Sequence, residues 1–381
     1  MKQSSIILFS SDDWGWKTSK YQLAIRFARA NTVLFVSSVG FRAPSVSKAD
    51  LGRIWRKLVS FFKGVKAVHP NLYVLTPLVI PFRRGGSVER LNTLLLRAQL
   101  AWACVKLGMG APYIFVFSQN WHDFVLTMKR KTLVYYCVDN QAGFTGVDAM
   151  RFQEKDVSLT TRADLVLCSS RKLFERKRQI NARTRYLPHG VNYQLFSQAL
   201  FDSGLPAASD AAGLPGPVLG FYGHISYDWV DVELLKYLAR ERPGWTIILL
   251  GRYSLQESEF AGLSNIVYLG EKDFEALPGY CKVMDVALIP FVVSPLTQDC
   301  NPLKLYEYLA AGLPVVSTEI PEVRTFGGDV HVAGTHEEFL ALCERALVDD
   351  SAQARAARSR SVAKATWDDR IDAIYEAIDG L

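Results

Sequence analysis

Several short motifs that mark large enzyme classes are missing from this chain. Its 381 residues contain no GxxxxGK[ST] phosphate loop, no GxGxxG after a strand, no GxSxG elbow and no HExxH. Their absence argues against kinase, dehydrogenase, esterase and metalloprotease chemistry. The sequence also lacks any Asp-x-Asp, so we expect no metal site and no metal bridge to a bound diphosphate.

Paired cysteines and long hydrophobic runs are missing as well. The six cysteines include no CxxC pair, which predicts reduced core residues rather than disulfides or zinc ligands. The N-terminal sequence MKQSSIILFSSDDWGW has too short an apolar core for a signal peptide. No apolar run reaches the roughly 20 residues that span a bilayer. We therefore expect a protein on the cytoplasmic side.

The sequence does contain a regular alternation of strand-like and helix-like patterns. Helical segments alternate with the strand-like runs SIILFSS, TVLFVSS, YIFVFSQ and TLVYYCV. A second series, which begins with PVLGFYG and TIILLG, follows the Gly- and Pro-rich stretch DSGLPAASDAAGLPGP. Such alternation is typical of parallel sheets covered by helices. We predict an α/β protein with two Rossmann-like domains, residues 1–200 and 218–381, joined by a linker at 201–217.

The strongest local pattern is DCNPLKLYEYLAAGLPVVST, from Asp299 to Thr318. Asn301 is a good N-cap and proline follows it, so we predict a helix that begins at Asn301. The N-terminus of a helix presents free N–H groups and a partial positive charge. Lys304 falls in the first turn and Glu307 one turn later on the same face. This spacing suits a diphosphate at the helix tip and a ribose diol at Glu307.

Other candidate site residues follow predicted strands. Gly223 ends the run PVLGFYG, where a glycine permits close approach of a phosphate. Arg252 follows TIILLG and is a second candidate phosphate contact. Asp139 stands at the carboxyl end of TLVYYCV. A carboxylate there could take a proton from an acceptor hydroxyl, or it could cap the turn that follows.

These segments resemble a known family. Asp299 and Glu307 are similar to the E-x7-E element of bacterial GT4-like glycosyltransferases of the GT-B type, with Asp in place of the first Glu. NPLKLYEYLAAGLPVVSTEIPEV is similar to the donor-site segment of that family, including a bacterial polysaccharide subgroup. Three more segments resemble the same family: PHGVNYQLF, VLGFYGHISYDWVDVELL and NIVYLGEKDFEALPGYCKVMDVALIPF. The segment around Asp139, YYCVDNQAGF, resembles a xanthan-type glucuronosyltransferase.

The resemblance implies a GT-B fold, with two domains that face each other across a cleft and a C-terminal helix that packs back toward the first. It implies a glycosyltransferase without a cofactor, which transfers a hexose or hexuronic acid from a UDP-sugar in polysaccharide biosynthesis. The missing Asp-x-Asp predicts that it is metal-independent, and the basic segment described next predicts a lipid-linked saccharide as its acceptor. The catalytic residues would be Asp139 as base and Asp299 near the transferred sugar. The donor would be held by Lys304, Glu307, Arg252, Gly223 and Asn301. Stereochemistry stays open, because a base indicates inversion whereas E-x7-E is commoner in retaining enzymes.

Positive charge is concentrated in one segment. Residues 41–106 contain 12 Lys or Arg and two acidic residues, in a chain of net charge +6. Within it, residues 51–66, LGRIWRKLVSFFKGVK, place apolar side chains on one helical face and cations mainly on the other. The helix either covers a sheet or lies in a membrane interface. We predict the second, which would make the protein peripheral on the inner face of the cell membrane.

Three other interpretations fit the sequence less well. A nucleotide-sugar epimerase of similar architecture would need no acceptor, and the basic stretch argues against it. A non-catalytic nucleotide-sugar-binding subunit is an alternative because Asp replaces Glu at position 299. Nucleic acid is not expected as a partner, since the basic segment comes without a recognised nucleic-acid-binding module.

Overall fold

The computed structural model describes residues 2–38, 64–80 and 86–381. They form two compact units, one that runs up to Leu187 and includes Ile371–Leu381, and one made of Pro188–Arg370. Each unit is an α/β layer structure around its own sheet, mainly parallel in the first unit and wholly parallel in the second, which confirms the predicted fold class.

The boundary between the units falls earlier in the chain than the sequence predicts. Residues 188–200, predicted as part of the first domain, and the predicted linker 201–217 belong to the second unit. The backbone N–H of Ala208 donates to the carbonyl oxygen of Gly279 at 3.1 Å, and Ala211 is fully buried. The stretch is irregular, as its Gly and Pro content indicates, but it packs on the second core instead of spanning a gap.

The first unit is built on an eight-stranded sheet in the order β3-β4-β2-β1-β5-β6-β7-β8. Its described neighbours pair in parallel except β3 with β4. The central strands are buried on both faces, because helices cover both. The strands are β1 Ser5–Phe9, β2 Thr32–Val36, β3 Lys66–His69, β4 Leu72–Leu75, β5 Tyr113–Val116, β6 Thr132–Cys137, β7 Leu165–Cys168 and β8 Thr184–Tyr186.

The described helices of the first unit follow these strands in sequence. They are α1 Ser19–Phe27, α2 Gly86–Lys106, α3 His122–Val125, α4 Ala149–Arg162 and α5 Arg171–Arg178. Side-chain caps fix two of their starts, since Asp148 accepts from the backbone N–H of Arg151 and Ser170 from that of Leu173.

The second unit is built on a six-stranded, wholly parallel sheet in the order β11-β10-β9-β12-β13-β14. Its strands are β9 Val218–Tyr222, β10 Thr246–Leu250, β11 Ile266–Gly270, β12 Val286–Ile289, β13 Val315–Thr318 and β14 Val330–Ala333. Its helices are α6 Tyr193–Phe196, α7 Gln198–Phe201, α8 Val232–Glu241, α9 Leu277–Cys281, α10 Leu303–Ala310, α11 His336–Val348 and α12 Ala352–Ser361.

The last helix, α13 (Trp367–Asp379), begins in the second unit and continues in the first. Within the first unit, the hydroxyl of Tyr375 accepts a hydrogen bond from Nδ2 of Asn31 at 3.0 Å, and its ring packs on Phe27. The prediction that the C-terminal helix packs back toward the first domain is therefore confirmed.

Most of the predicted interfacial helix, residues 51–63, lies outside the described residues. The last residues of the predicted segment are described: Gly64 has φ +64°, and Lys66 is the first residue of β3. The predicted helix therefore does not extend to Lys66, because a positive φ interrupts it and sheet pairing begins. Across the described ranges, no helix is both long enough and apolar enough to cross a membrane.

Candidate functional site

The second sheet has a switch point between β9 and β12. From β9 the chain moves to β10 and β11 on one side, and later returns to β12 on the other side of β9. Ligands of open parallel sheets bind beyond the carboxyl ends of the strands at such a point, because the loops on either side diverge and leave a crevice. The loop after β9 starts at Gly223, and the loop after β12 leads to α10.

Three glycine turns shape this edge of the sheet. Gly223, Gly251 and Gly270 end or follow β9, β10 and β11, with φ values of +149°, +113° and +81°. The backbone N–H of Gly223 donates to Leu250 O and that of Gly251 to Gly270 O, both at 2.9 Å. A Cβ atom at Gly251 would collide with the carbonyl oxygen of Gly223. The repeated endings FYG, LLG and YLG are the sequence pattern that could have identified this stack of turns.

Lys304 lies at the switch point. Its Nζ is 4.7 Å from the ring centroid of Phe291, just after β12, and 5.1 Å from that of Phe221 on β9. A Cβ at Gly223 would lie 3.1 Å from Lys304 Cε. Two aromatic rings thus support a half-buried ammonium group through cation–π contact, directly beside the first glycine turn.

His224 and Arg252 add to the positive charge of the same edge. Nε2 of His224 lies 2.9 Å from Oγ of Ser254. Burial lowers the pKa of His224, the charges of Arg252 and Lys304 lower it further, and Asp228 raises it. Arg252 follows the turn at Gly251 that touches Gly223, and its carbonyl oxygen accepts from the backbone N–H of Ile225 at 2.8 Å. The structure therefore places both predicted phosphate contacts, Arg252 and Lys304, at the turns after β9 and β10.

The helix that carries Lys304 begins later than predicted. It spans Leu303–Ala310 with Pro302 as its N-cap, so the prediction of Asn301 as N-cap was wrong. Pro302 has ψ +108°, an extended conformation that postpones the first helical turn. Asn301 is buried, and its Nδ2 donates to the hydroxyl of Tyr306 at 3.1 Å instead of Asn301 capping the helix.

Glu307 lies one turn after Lys304 and is 4% exposed. Burial raises the pKa of its carboxyl to about 7, against a smaller lowering by the nearby hydroxyl of Tyr222 and by the charge of Lys304. Tyr222 is itself held by Tyr308, whose hydroxyl accepts from the Tyr222 backbone N–H at 3.0 Å. The predicted ribose contact is therefore a nearly enclosed acid beside the last residue of β9.

Asp299 and Asp139 occupy different surroundings. Asp299 is 2% exposed, in the 3-10 turn Thr297–Asp299 between β12 and α10. Asp139 belongs to the first unit and follows β6, as predicted, and it is half-buried. Its carbonyl oxygen accepts from the backbone N–H of Gln141 at 3.1 Å, and Gln141 Nε2 binds Phe117 O at 2.9 Å. This ties the turn after β6 to the end of β5.

No group of three or more His, Cys, Asp or Glu that could hold a metal ion occurs among residues 2–38, 64–80 and 86–381. Lys304 and Arg252 bring positive charge to the switch point, beside the nearly enclosed carboxyl of Glu307. The arrangement is suited to an anion at Lys304 and Arg252, and to a hydrogen-bond donor at the carboxylate of Glu307.

Comparison with known proteins places this site within a known domain. Residues 216–349 match the family described as glycosyl transferases group 1, a range that includes every candidate site residue except Asp139. The putative teichuronic acid biosynthesis glycosyltransferase TuaH of Bacillus subtilis is 31% identical over 221 residues, or 55% of each chain. The match thus spans about half the length of that curated relative.

Solved structures resemble the whole chain. Sucrose-phosphate synthase from Thermosynechococcus elongatus aligns with a TM-score of 0.70 at 15% identity over 99% of both chains. Anabaena HepE in complex with UDP aligns with a TM-score of 0.67 at 16% identity, over 99% of this chain and 100% of that one. The chain therefore has the GT-B fold, and residues 216–349 of its second unit match the glycosyl transferases group 1 family.

Proposed function

We propose that this protein is a glycosyltransferase of polysaccharide biosynthesis that uses a UDP-sugar as donor. The observation that carries the proposal is the position of Lys304, an ammonium group held on two rings at the switch point of the second sheet. A diphosphate is the ligand that suits such a group beside exposed Arg252. The match to a group 1 domain and the UDP in the HepE structure support this choice.

The donor residues have separate roles in this proposal. Lys304 and Arg252 bind the diphosphate and stabilise the charge that develops on it as the glycosidic bond breaks. The carboxylate of Glu307 accepts hydrogen bonds from the ribose hydroxyls. Asp299 and Asn301 shape the loop next to the transferred sugar, and Gly223 gives the phosphates room to approach.

The transfer itself exchanges one bond for another. The bond between the anomeric carbon and the phosphate oxygen breaks, and its electron pair leaves with UDP. A hydroxyl oxygen of the acceptor bonds to the anomeric carbon, and we assign its proton to Asp139 as general base. We propose a hexose or hexuronic acid as the transferred group, a lipid-linked saccharide as acceptor, no metal requirement, and a peripheral location on the inner membrane face.

The direct test supplies radiolabelled UDP- and GDP-sugars to the purified protein with a membrane extract as the source of acceptor. Label transferred from one UDP-sugar to the lipid fraction is expected, with and without EDTA. Release or rearrangement of the sugar in the absence of acceptor would favour an epimerase. UDP binding without any turnover would favour a binding subunit.

Lys304→Ala tests the diphosphate site. A charge-assisted contact is worth about 1.5–3 kcal/mol, so UDP affinity is expected to fall by roughly 10- to 100-fold while uridine affinity stays within about threefold. Calorimetric titration with UDP and with uridine measures both. Lys364→Ala, at an exposed lysine of the same unit, is the matched control. An equal loss for both ligands would place Lys304 away from the phosphates.

A further inference from the structure

Helix α2 leaves an apolar face in solvent. Its Leu96, Leu100 and Ala103 are buried in the first core. Between Arg90 and Lys106, the exposed residues of the opposite face are all apolar: Leu91, Leu94, Ala98, Ala101, Trp102 and Val105. At 100° per residue these six positions fall within an arc of about 100°, and they extend about 21 Å along the helix. We call them the α2 stripe.

A surface helix of a soluble domain normally turns charged and polar residues to water. In the α2 stripe the exposed fraction reaches 60% at Leu94 and 82% at Val105. Single exposed apolar residues are ordinary, but a continuous row on one helix face indicates a contact surface. The stripe therefore indicates a binding partner that offers an apolar environment.

Cations border the stripe on both sides. Arg90 and Arg97 are exposed along one border, and Lys106 lies on the other, with its Nζ 4.9 Å from the Trp102 ring. Arg97 also donates to Oγ1 of Thr127 at 3.0 Å, which places it next to a turn that contains three more cations, Lys129, Arg130 and Lys131. Between residues 90 and 106 the sequence has no Asp or Glu.

We propose that the α2 stripe docks the first unit on an anionic lipid bilayer. Apolar side chains would enter the boundary between headgroups and acyl chains, the indole of Trp102 would lie at the interface, and the bordering cations would meet anionic headgroups. A bilayer fits both the apolar stripe and the cations that border it, because it offers an apolar interior and a plane of negative charge that extends along the whole helix. The stripe contains none of residues 51–66, although Gly64 lies against Trp102, where an added Cβ would be 3.1 Å from the indole ring. The proposal does not depend on glycosyl transfer.

Co-sedimentation with vesicles tests the proposal without any activity measurement. The wild-type protein is expected to bind phosphatidylcholine vesicles that contain phosphatidylglycerol, and to bind pure phosphatidylcholine much more weakly. Replacing Leu94, Trp102 and Val105 together with Ser should lower binding by at least about tenfold, since several apolar side chains leave the lipid. A separate double variant, Arg90→Gln with Arg97→Gln, should lose more vesicle binding at low salt than at high salt, because salt already screens these charges.

Val348→Ser is the matched control, because Val348 of α11 is 83% exposed against 82% for Val105 but belongs to the second unit. It should bind as the wild type does. Trp102 is 49% exposed, and Leu94 and Val105 are more so, so circular dichroism should stay unchanged and thermal unfolding should shift only slightly. Failure of the wild type to bind anionic vesicles, or full binding by the triple variant, would overturn the proposal.

Accessibility identifies any other occupant of the stripe. A Val105→Cys variant should react with a maleimide in solution and become protected by anionic vesicles, whereas Val348→Cys should react in both conditions. Protection of Val105→Cys without vesicles would overturn the proposal. Sedimentation velocity would then assign the stripe to a second copy if the protein self-associates, and to other residues of the same chain if it does not.

Discussion

Glu307 is an acid that the second core keeps close to neutrality. Its pKa of about 7 results from burial, and the charge of Lys304 one turn away offsets only part of that effect. A protein rarely keeps a buried carboxyl without use for it, because the charged form costs stability. Hydroxyl donors of a ribose would favour the charged form, so a bound nucleoside would offset part of the stability that the buried carboxylate costs.

Glu307→Gln is expected to change how stability depends on pH. The folded pKa is raised from 4.5 to about 7, so the acid is neutral in both the folded and the unfolded chain below about pH 4.5 and costs nothing there. The cost builds up as pH rises from about 4.5 to 7 and is constant above that. The variant should therefore gain stability relative to wild type between about pH 4.5 and pH 7, by roughly 3 kcal/mol in total, with no further change at higher pH. Thermal unfolding in the absence of UDP, followed at the transition that UDP shifts when it is added, measures the difference from about pH 4 to pH 9.

Glu257→Gln is the control for that series, since Glu257 is an exposed glutamate of the same unit. Its stability should follow the wild type at every pH. A Glu307→Gln curve parallel to wild type would mean that the carboxyl is solvated, and the account of its environment would be wrong.

The glycine turns act as one element, because the turns after β9 and β10 touch through backbone atoms. Gly251→Ala should destabilise the second unit by roughly 2–4 kcal/mol and weaken UDP binding, since a Cβ there meets the carbonyl oxygen of Gly223, which cannot rotate away. Gly262→Ala shares the positive φ, +82°, but meets nothing within 4 Å. It should cost only about 1 kcal/mol. Thermal unfolding and UDP titration separate the two, and equal effects would show that backbone strain alone matters.

The sequence predicted the strands and α10 because their apolar runs and flanking turns agree. It placed the start of α10 at Asn301, since N-cap preference says nothing about Tyr306 as a competing partner for that side chain. It predicted Gly223 but not the stacking of Gly251 on it, because that contact joins two separate loops. Nor did helical spacing identify the α2 stripe, since a helix pattern does not say which apolar face the core covers.

At the scale of the whole molecule, the two units divide the candidate residues unequally. Every proposed donor contact lies in Pro188–Arg370, and the proposed base, Asp139, lies in the other unit. Alternating strands and helices predicted two domains correctly. The boundary was misplaced because Gly and Pro content marks irregular chain, whether it links domains or packs on one, as Ala211 does.

This division predicts that donor binding and transfer can be separated by mutation. Asp139→Asn removes the proton acceptor without changing size, so transfer should fall by at least about 10² while UDP affinity, a property of the second unit, stays within a few-fold of wild type. Lys304→Ala should instead lower both. Single-turnover transfer and UDP titration on the same preparations measure the two quantities.

Asp148→Asn is the matched control in the first unit, because Asn can also cap α4. It should keep both the transfer rate and the UDP affinity of the wild type. Transfer at the wild-type rate in Asp139→Asn would reject the base assignment and leave Asp139 as a turn residue. A parallel loss of UDP affinity would show instead that Asp139 contributes to donor binding.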